Sequence, residues 1–288
     1  MFKYDITWIM QSYLGEYEGS RANSDKKFIR AVKSFLAINK IDPRTQLVIA
    51  SDGCEITHKL YYKHFKKEPS IKYCFVDKDT PKMYENIEGS TMQYYRGLPR
   101  QVARTIAEGF LHAYLDSDDF LMPNASKIIK ANWNAMTKQN PDKDFKWGAM
   151  TNWIENIAMN KWLENKEGQQ TFGPIGESFK VEGLKSKWQK YSMNEPNKHV
   201  QSTTWATVHK WDCKTVWKDH QSDPKAGGIS EDTIFARGIR KEGDGMLIND
   251  GFYLRCHYHG IWDYYLKNSS KNRTKLKRKL IYTLTRNI

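Results

Sequence analysis

Short apolar runs alternate with amphipathic stretches through the first half of the chain. "YDITWIM", residues 4 to 10, has the length and apolar content of a strand. From about Ser24 the residues Phe28, Val32, Phe35 and Leu36 recur at i, i+4, i+7 and i+8, which is one face of a helix. "TQLVIAS" then reads as a buried strand, and the "DG" behind it as a turn. "THKLYYKHF" is helical in pattern, "IKYCFV" a third strand, "RQVARTIAEGF" a helix, and "HAYL" a fourth strand. "PNASKIIKANWNAM" puts Pro123 near a helix start and Ile128, Ile129, Trp133 and Met136 on one side. Strands and helices alternating at this length predict an α/β fold with a mostly parallel sheet covered on both faces. Ligands bind such sheets beyond the carboxyl ends of the strands, where Asp52 and Asp116 fall.

The second half is less regular. "KWGAMTNWIE" and "STTWATVHKW" have strand character, and a Gly-, Lys- and Trp-rich segment of about forty residues separates them. "GGISEDTIFARGIRKEG" reads as a Gly-rich loop opening into a helix with Glu231 and Asp232 in its first turn. "MLINDGFYLRCHYHG" closes the body with strand-like pieces and two histidines.

Composition narrows the class. The 288 residues, with 13% aromatic and 27% charged, suit a globular protein and exclude a disordered one. No apolar run reaches membrane-span length, and the N-terminus lacks the pattern of a signal peptide. The widely spaced cysteines Cys54, Cys74, Cys213 and Cys256 read as reduced thiols, which together with the missing signals points to the cytoplasm. Of the net charge of +13, residues 267–288 supply eight Lys/Arg and no acid, leaving +5 for residues 1–266. A basic tail of this kind fits a polyanion, either nucleic acid or an anionic membrane surface; a solvated helix face is the plainer alternative.

"AYLDSDDFLMP" concentrates the chemistry. Asp116, Asp118 and Asp119 repel one another at close range, so the cluster needs a cation or hydrogen-bond donors. A hard divalent ion, Mn²⁺ or Mg²⁺, is the simplest compensation. The alternative is a solvated loop whose last acid caps the next helix.

The order of features resembles the family 2 glycosyltransferases of the GT-A fold. It runs from a strand-helix start through "SDG" after the second strand and an Arg sixteen residues before the first Asp of "LDSDD" to a downstream "ED", and covers roughly residues 4 to 260. "YLDSDD" with its following proline is the most specific piece, and "SEDTIFAR" supports it. The resemblance implies a GT-A (Rossmann-like) fold with a C-terminal acceptor-side region, and a nucleotide-sugar donor such as a UDP-sugar. It also implies roles residue by residue. Asp52 would accept a hydrogen bond from the uracil or ribose, Arg100 would help hold the nucleotide and its phosphates, and Asp116 would contact ribose or sugar. Asp118 would bind the metal, with His257 or His259 completing its sphere, and Asp232 would be the general base. The sequence departs from the family in "SDGC", where "DDGS" is usual, and in Gln101, where an Asn is usual. The implied organisation is one domain over residues 1–266, with a nucleotide-sugar half to about 125 and an acceptor half from about 126, followed by the tail.

The acceptor is less legible. Trp153, Trp162, Trp188 and Tyr191 lie among lysines, a pattern that can stack on a ring and engage phosphate or form a half-buried surface. The Lys/Asn/Tyr/Ile-rich composition looks like that of bacteriophage enzymes that glucosylate 5-hydroxymethylcytosine or extend a glucose already on it. In that reading Trp188, Lys271, Arg273, Lys275, Lys277, Arg278 and Lys279 are the candidate DNA contacts, and the enzyme works in the host cytoplasm. A hydroxyl on cytosine C5 projects into the major groove, so it is reachable without reading base-pair edges. Three alternatives stay open: transfer to cell-surface polysaccharide with peripheral membrane contact, a non-catalytic basic nucleic-acid-binding protein, and a nucleotidyltransferase that would release pyrophosphate.

Overall fold

A computed structural model describes residues 2–15, 24–77, 97–121, 124–150, 152–155, 172–180, 187–193, 207–218, 231–248 and 253–255. The chain opens with β1 (Tyr4–Ser12), α1 (Ser24–Ile41), β2 (Thr45–Asp52), α2 (Glu55–His64) and β3 (Ile71–Val76). It continues with α3 (Leu98–Thr105), β4 (Gly109–Tyr114), β5 (Phe120–Leu121), α4 (Ala125–Gln139) and β6 (Phe145–Met150). Then come β7 (Asn152–Glu155), β8 (Phe172–Lys180), β9 (Lys187–Met193), β10 (Thr207–Lys210), α5 (Glu231–Ile239), β11 (Asp244–Ile248) and β12 (Tyr253–Arg255).

A seven-stranded sheet in the order β11-β6-β10-β4-β1-β2-β3 forms the body. Its neighbours are parallel except at β10, which runs antiparallel to both β4 and β6. All eight residues of β2 are buried, as expected of a central parallel strand covered on both faces. α1 supplies Phe28, Ala31, Val32, Phe35 and Ile38 to the core, and α4 supplies Ile129 and Trp133. The helical periodicities therefore mark the faces that pack. No helix among the described residues is long and apolar enough to cross a membrane.

Three sequence expectations need correction. The helix expected over "RQVARTIAEGF" stops at Thr105, because Gly109 already pairs with Tyr4 as the first residue of β4. A Cβ at position 109 would lie 2.5 Å from the Thr7 amide nitrogen, so the strand start requires glycine. "KWGAMTNWIE" is two strands: β6 belongs to the large sheet and β7 to a second one. The supposedly irregular segment contains β8 and β9, an antiparallel pair in a five-stranded sheet of order β5-β12-β7-β9-β8. Its apolar-polar alternation is broken by Gly173, Pro174 and Gly176, and the register shifts between Ile175 and Phe179, which hides the strand period.

A candidate active site at the strand ends

Four parallel strands deliver the site to one edge. β2 ends at Asp52 and β4 runs into Asp116, with β1 between them, so the two acids sit two strand spacings apart, roughly 10 Å.

The turn after β2 is built on Gly53, whose φ of 59° is one that L side chains adopt only under strain. Its amide donates to the Val76 carbonyl at 2.7 Å. Asp52 is 4% exposed, and Gln11 donates to its Oδ2 at 3.0 Å from the end of β1. The residues that depart from the family pattern hold this turn. The Ser51 hydroxyl donates to the Cys54 carbonyl at 2.9 Å, and the Leu14 amide donates to the Cys54 thiol at 3.2 Å.

The acidic loop is pinned at its backbone. The Leu115 amide donates to the Ile9 carbonyl at 3.0 Å and Asp119 to the Asp116 carbonyl at 3.1 Å. From α1, the Arg30 guanidinium donates to the Asp118 carbonyl, and the Ser34 hydroxyl accepts from the Leu121 amide at 3.0 Å. These bonds hold three mutually repelling carboxylates together, with one oxygen from each of Asp116, Asp118 and Asp119 within 4.8 Å of the others. That spread is little wider than the roughly 4.2 Å between opposite ligands of an ion bonded at about 2.1 Å. An all-oxygen donor set of this size suits Mg²⁺ or Mn²⁺.

Arg100 joins the two halves of the site. On α3 its Nη1 donates to Glu231 Oε1 at 2.8 Å, and its Nη2 lies 3.5 Å from Asp116 Oδ1. Burial works against the guanidinium charge, but the fields of Glu231, Asp116 and Asp232 and the Glu231 hydrogen bond outweigh it and raise its pKa. Asp232, half-buried beside Glu231 in the first turn of α5, thus faces a fixed cation.

The structure brings together Arg100, Asp116, Asp118 and the acid pair of α5, with Asp52 along the same edge. Trp188 lies on β9 in the second sheet, in register with Glu155 and Phe179. His257, His259 and the tail residues Lys271, Arg273, Lys275, Lys277, Arg278 and Lys279 lie outside the described residues.

Sequence reasoning assigned no role to Gln11, Glu231 or Trp217. Gln101, in place of the usual Asn, accepts from the Trp217 amide at 3.0 Å, so its side chain serves packing. Glu231 carried no sequence signal, since acids are common in a first helical turn; only its 4% exposure in the structure shows that it needs a cationic partner.

Comparison with known proteins agrees with this topology. No family model matches the chain, and no curated protein matches it in sequence. Among solved structures it is similar to S. aureus TarS, a glycosyltransferase with a GT-A-like fold. TarS residues 1–349 in complex with UDP-GlcNAc gives a TM-score of 0.53 at 14% identity, covering 96% of this chain and 65% of that one. The UDP complex gives 0.51 at 13% identity, with 87% and 60% covered, and TarS 1–349 alone gives 0.50 at 14%, again with 87% and 60% covered. The chain thus spans about three-fifths of the length of these neighbours. The fold is of the GT-A type.

Proposed function

We propose that the chain is a metal-dependent, inverting glycosyltransferase that moves a sugar from a UDP-sugar to a hydroxyl acceptor. The observation that carries the reading is Arg100, which spans the acidic cluster and the acid pair of α5 at the carboxyl ends of a GT-A sheet. The neighbours solved with UDP-GlcNAc and with UDP support this donor class. The working unit is residues 1–266.

In this mechanism Asp52 binds the uridine, while Arg100 and Asp116 orient the diphosphate and sugar. Asp118 would hold a divalent ion, with Asp116 and Asp119 beside it and His257 or His259 completing the sphere. Such an ion stabilises charge on the departing diphosphate. Asp232 takes the proton from the acceptor hydroxyl, whose oxygen attacks the anomeric carbon as the bond to UDP breaks. One base suffices for this displacement, whereas hydrolysis of a glycoside needs two carboxylates flanking the bond.

The acceptor we propose is DNA carrying a hydroxymethylated or already glucosylated cytosine, with glucose as the transferred sugar. The charge of +13 and the acid-free tail support a polyanionic acceptor, with affinity supplied by phosphate contacts. The neighbour bound to UDP-GlcNAc makes that nucleotide-sugar the second donor to try. The test incubates the protein with UDP-glucose or UDP-GlcNAc, Mn²⁺, and plain or hydroxymethylated DNA, then weighs the digested nucleosides. A hexose or N-acetylhexosamine mass on cytosine, with release of UDP, is the expected result. Release of pyrophosphate in a parallel incubation with UTP and glucose 1-phosphate would indicate nucleotidyl transfer, and absence of both products would overturn the reading.

A further inference from the structure

We infer that Trp217 is a positioning residue, whose indole holds the Arg100 guanidinium across the gap between Asp116 and Glu231. Trp217 belongs to no helix or strand, is 4% exposed, and is fixed on every side that has a partner. Its amide donates to Gln101 Oε1 at 3.0 Å, on the helix that carries Arg100. Its Nε1 donates to the Tyr114 hydroxyl at 2.9 Å, on the strand that leads to Asp116. Its ring stacks on Phe235 with centroids 4.0 Å apart and planes 13° apart, on the helix that carries Glu231 and Asp232. The Arg100 guanidinium carbon sits 5.0 Å from the ring, within cation–π range.

The segment around Trp217 is clamped as well. Arg104 donates to the carbonyls of Cys213 and Thr215. At the other end Gly97 packs against the Lys218 backbone so closely that a Cβ there would overlap the Lys218 carbonyl. One indole therefore touches the three elements whose spacing decides where Arg100 stands. A flat cation between two carboxylates can lean toward either, and the ring face beneath it restricts that choice. Of the groups that Trp217 touches, Arg100 is the one that reaches both Asp116 and Glu231, so the indole acts through Arg100.

The inference rests on Arg100 serving the donor side of the proposed transfer, and its test separates the two. UDP affinity in the presence of Mn²⁺ is measured for wild type, Trp217→Leu, Trp217→Phe, Arg100→Lys and the Trp217→Leu/Arg100→Lys double variant, with urea unfolding of each. Trp217→Leu and Arg100→Lys should each weaken UDP binding about tenfold or more, while Trp217→Phe, which keeps the ring face, stays within about threefold. The double variant should bind no more weakly than the worse single one, because both lesions act on one group. If Trp217→Leu binds UDP as wild type does while only its unfolding midpoint falls, Trp217 is structural and the inference is overturned. Losses that multiply in the double variant overturn it too. Should Trp217→Leu not fold, Gln101→Leu releases the Trp217 amide from α3, and unchanged UDP affinity in that variant has the same meaning. If wild type itself does not bind UDP, the functional reading fails, and the inference is then decided by urea unfolding alone. Additive effects of the 217 and 100 substitutions on stability overturn it, and non-additive effects support it.

Discussion

Lowering the pH from 6.5 to 5 should destabilise this protein through two histidines buried behind the site. His112 on β4 and His209 on β10 are paired in register, with ring centroids 5.4 Å apart. Burial, and then the nearby Arg104 cation, push the His112 pKa down from 6.5 to about 3. For His209, burial, His112 and Arg104 push it well below 6.5. His209 is also committed to the neutral form by its bonds. Its Nδ1 donates to the Lys210 carbonyl at 2.7 Å, and its Nε2 accepts from the Tyr114 hydroxyl at 2.8 Å. Both histidines are neutral when folded and become protonated on unfolding. The stability they provide is complete above the unfolded pKa and is lost as pH falls from there toward the folded pKa.

The size of the effect follows from the shift. One proton bound only by the unfolded chain costs about 1.4 kcal/mol per pH unit, so each histidine removes roughly 1.5 kcal/mol between pH 6.5 and 5. Together they remove roughly 3 kcal/mol, a large share of the 5–15 kcal/mol typical of a domain. Asp144, held low chiefly by its hydrogen bond from Lys210, loses its contribution only at more acidic pH. Urea unfolding followed by circular dichroism at half-unit pH steps measures the slope. In His112→Leu that slope should fall to about half. A wild-type stability that is flat from pH 6.5 to 5, or a slope that His112→Leu leaves unchanged, would refute the argument.

The remaining predictions concern the site and the tail. Asp118→Ala should abolish Mn²⁺-dependent UDP binding, read by calorimetry, while the melting temperature stays within a few degrees, since its side chain is half-exposed and outside the core. Asp232→Asn should lower kcat by about 10² to 10⁴ and leave UDP affinity within a few-fold, the pattern of a group that acts in the transition state. Replacing Lys275, Lys277, Arg278 and Lys279 with Gln should flatten the salt dependence of DNA affinity by at most roughly 3.6 log units per decade of salt, read by fluorescence titration. The same variant should leave UDP binding unchanged, and loss of anionic-vesicle binding with DNA affinity intact would point to a membrane instead.

How much of this was legible depended on how local each cause is. The order of β1, α1, β2, α2 and β3 could be read because each element carries its own period, and Gly53 announced its turn by residue type. Asp52, Asp116 and Asp118 were visible because strand ends are where open α/β sheets bind ligands. β8 and β9 were not, because their strand character comes from pairing across a second sheet, and glycine and proline interrupt the alternation.

Long-range partners were equally hidden. Gln101 reads in the sequence as a departure from a nucleotide-binding pattern, yet its side chain holds the Trp217 amide, 116 positions away. Glu231 reads as an ordinary acid at a helix start, yet it meets Arg100 across 131 positions. That ion pair has consequences for which acid acts as base. A guanidinium bonded to Glu231 is engaged by that carboxylate, and Asp232 lies within its field. In the proposed mechanism Glu231 fixes the cation and its neighbour Asp232 accepts the proton. The kcat of Glu231→Gln, set beside that of Asp232→Asn, reads this division directly. If the Glu231 variant loses kcat with UDP affinity intact and the Asp232 variant does not, the two roles are reversed.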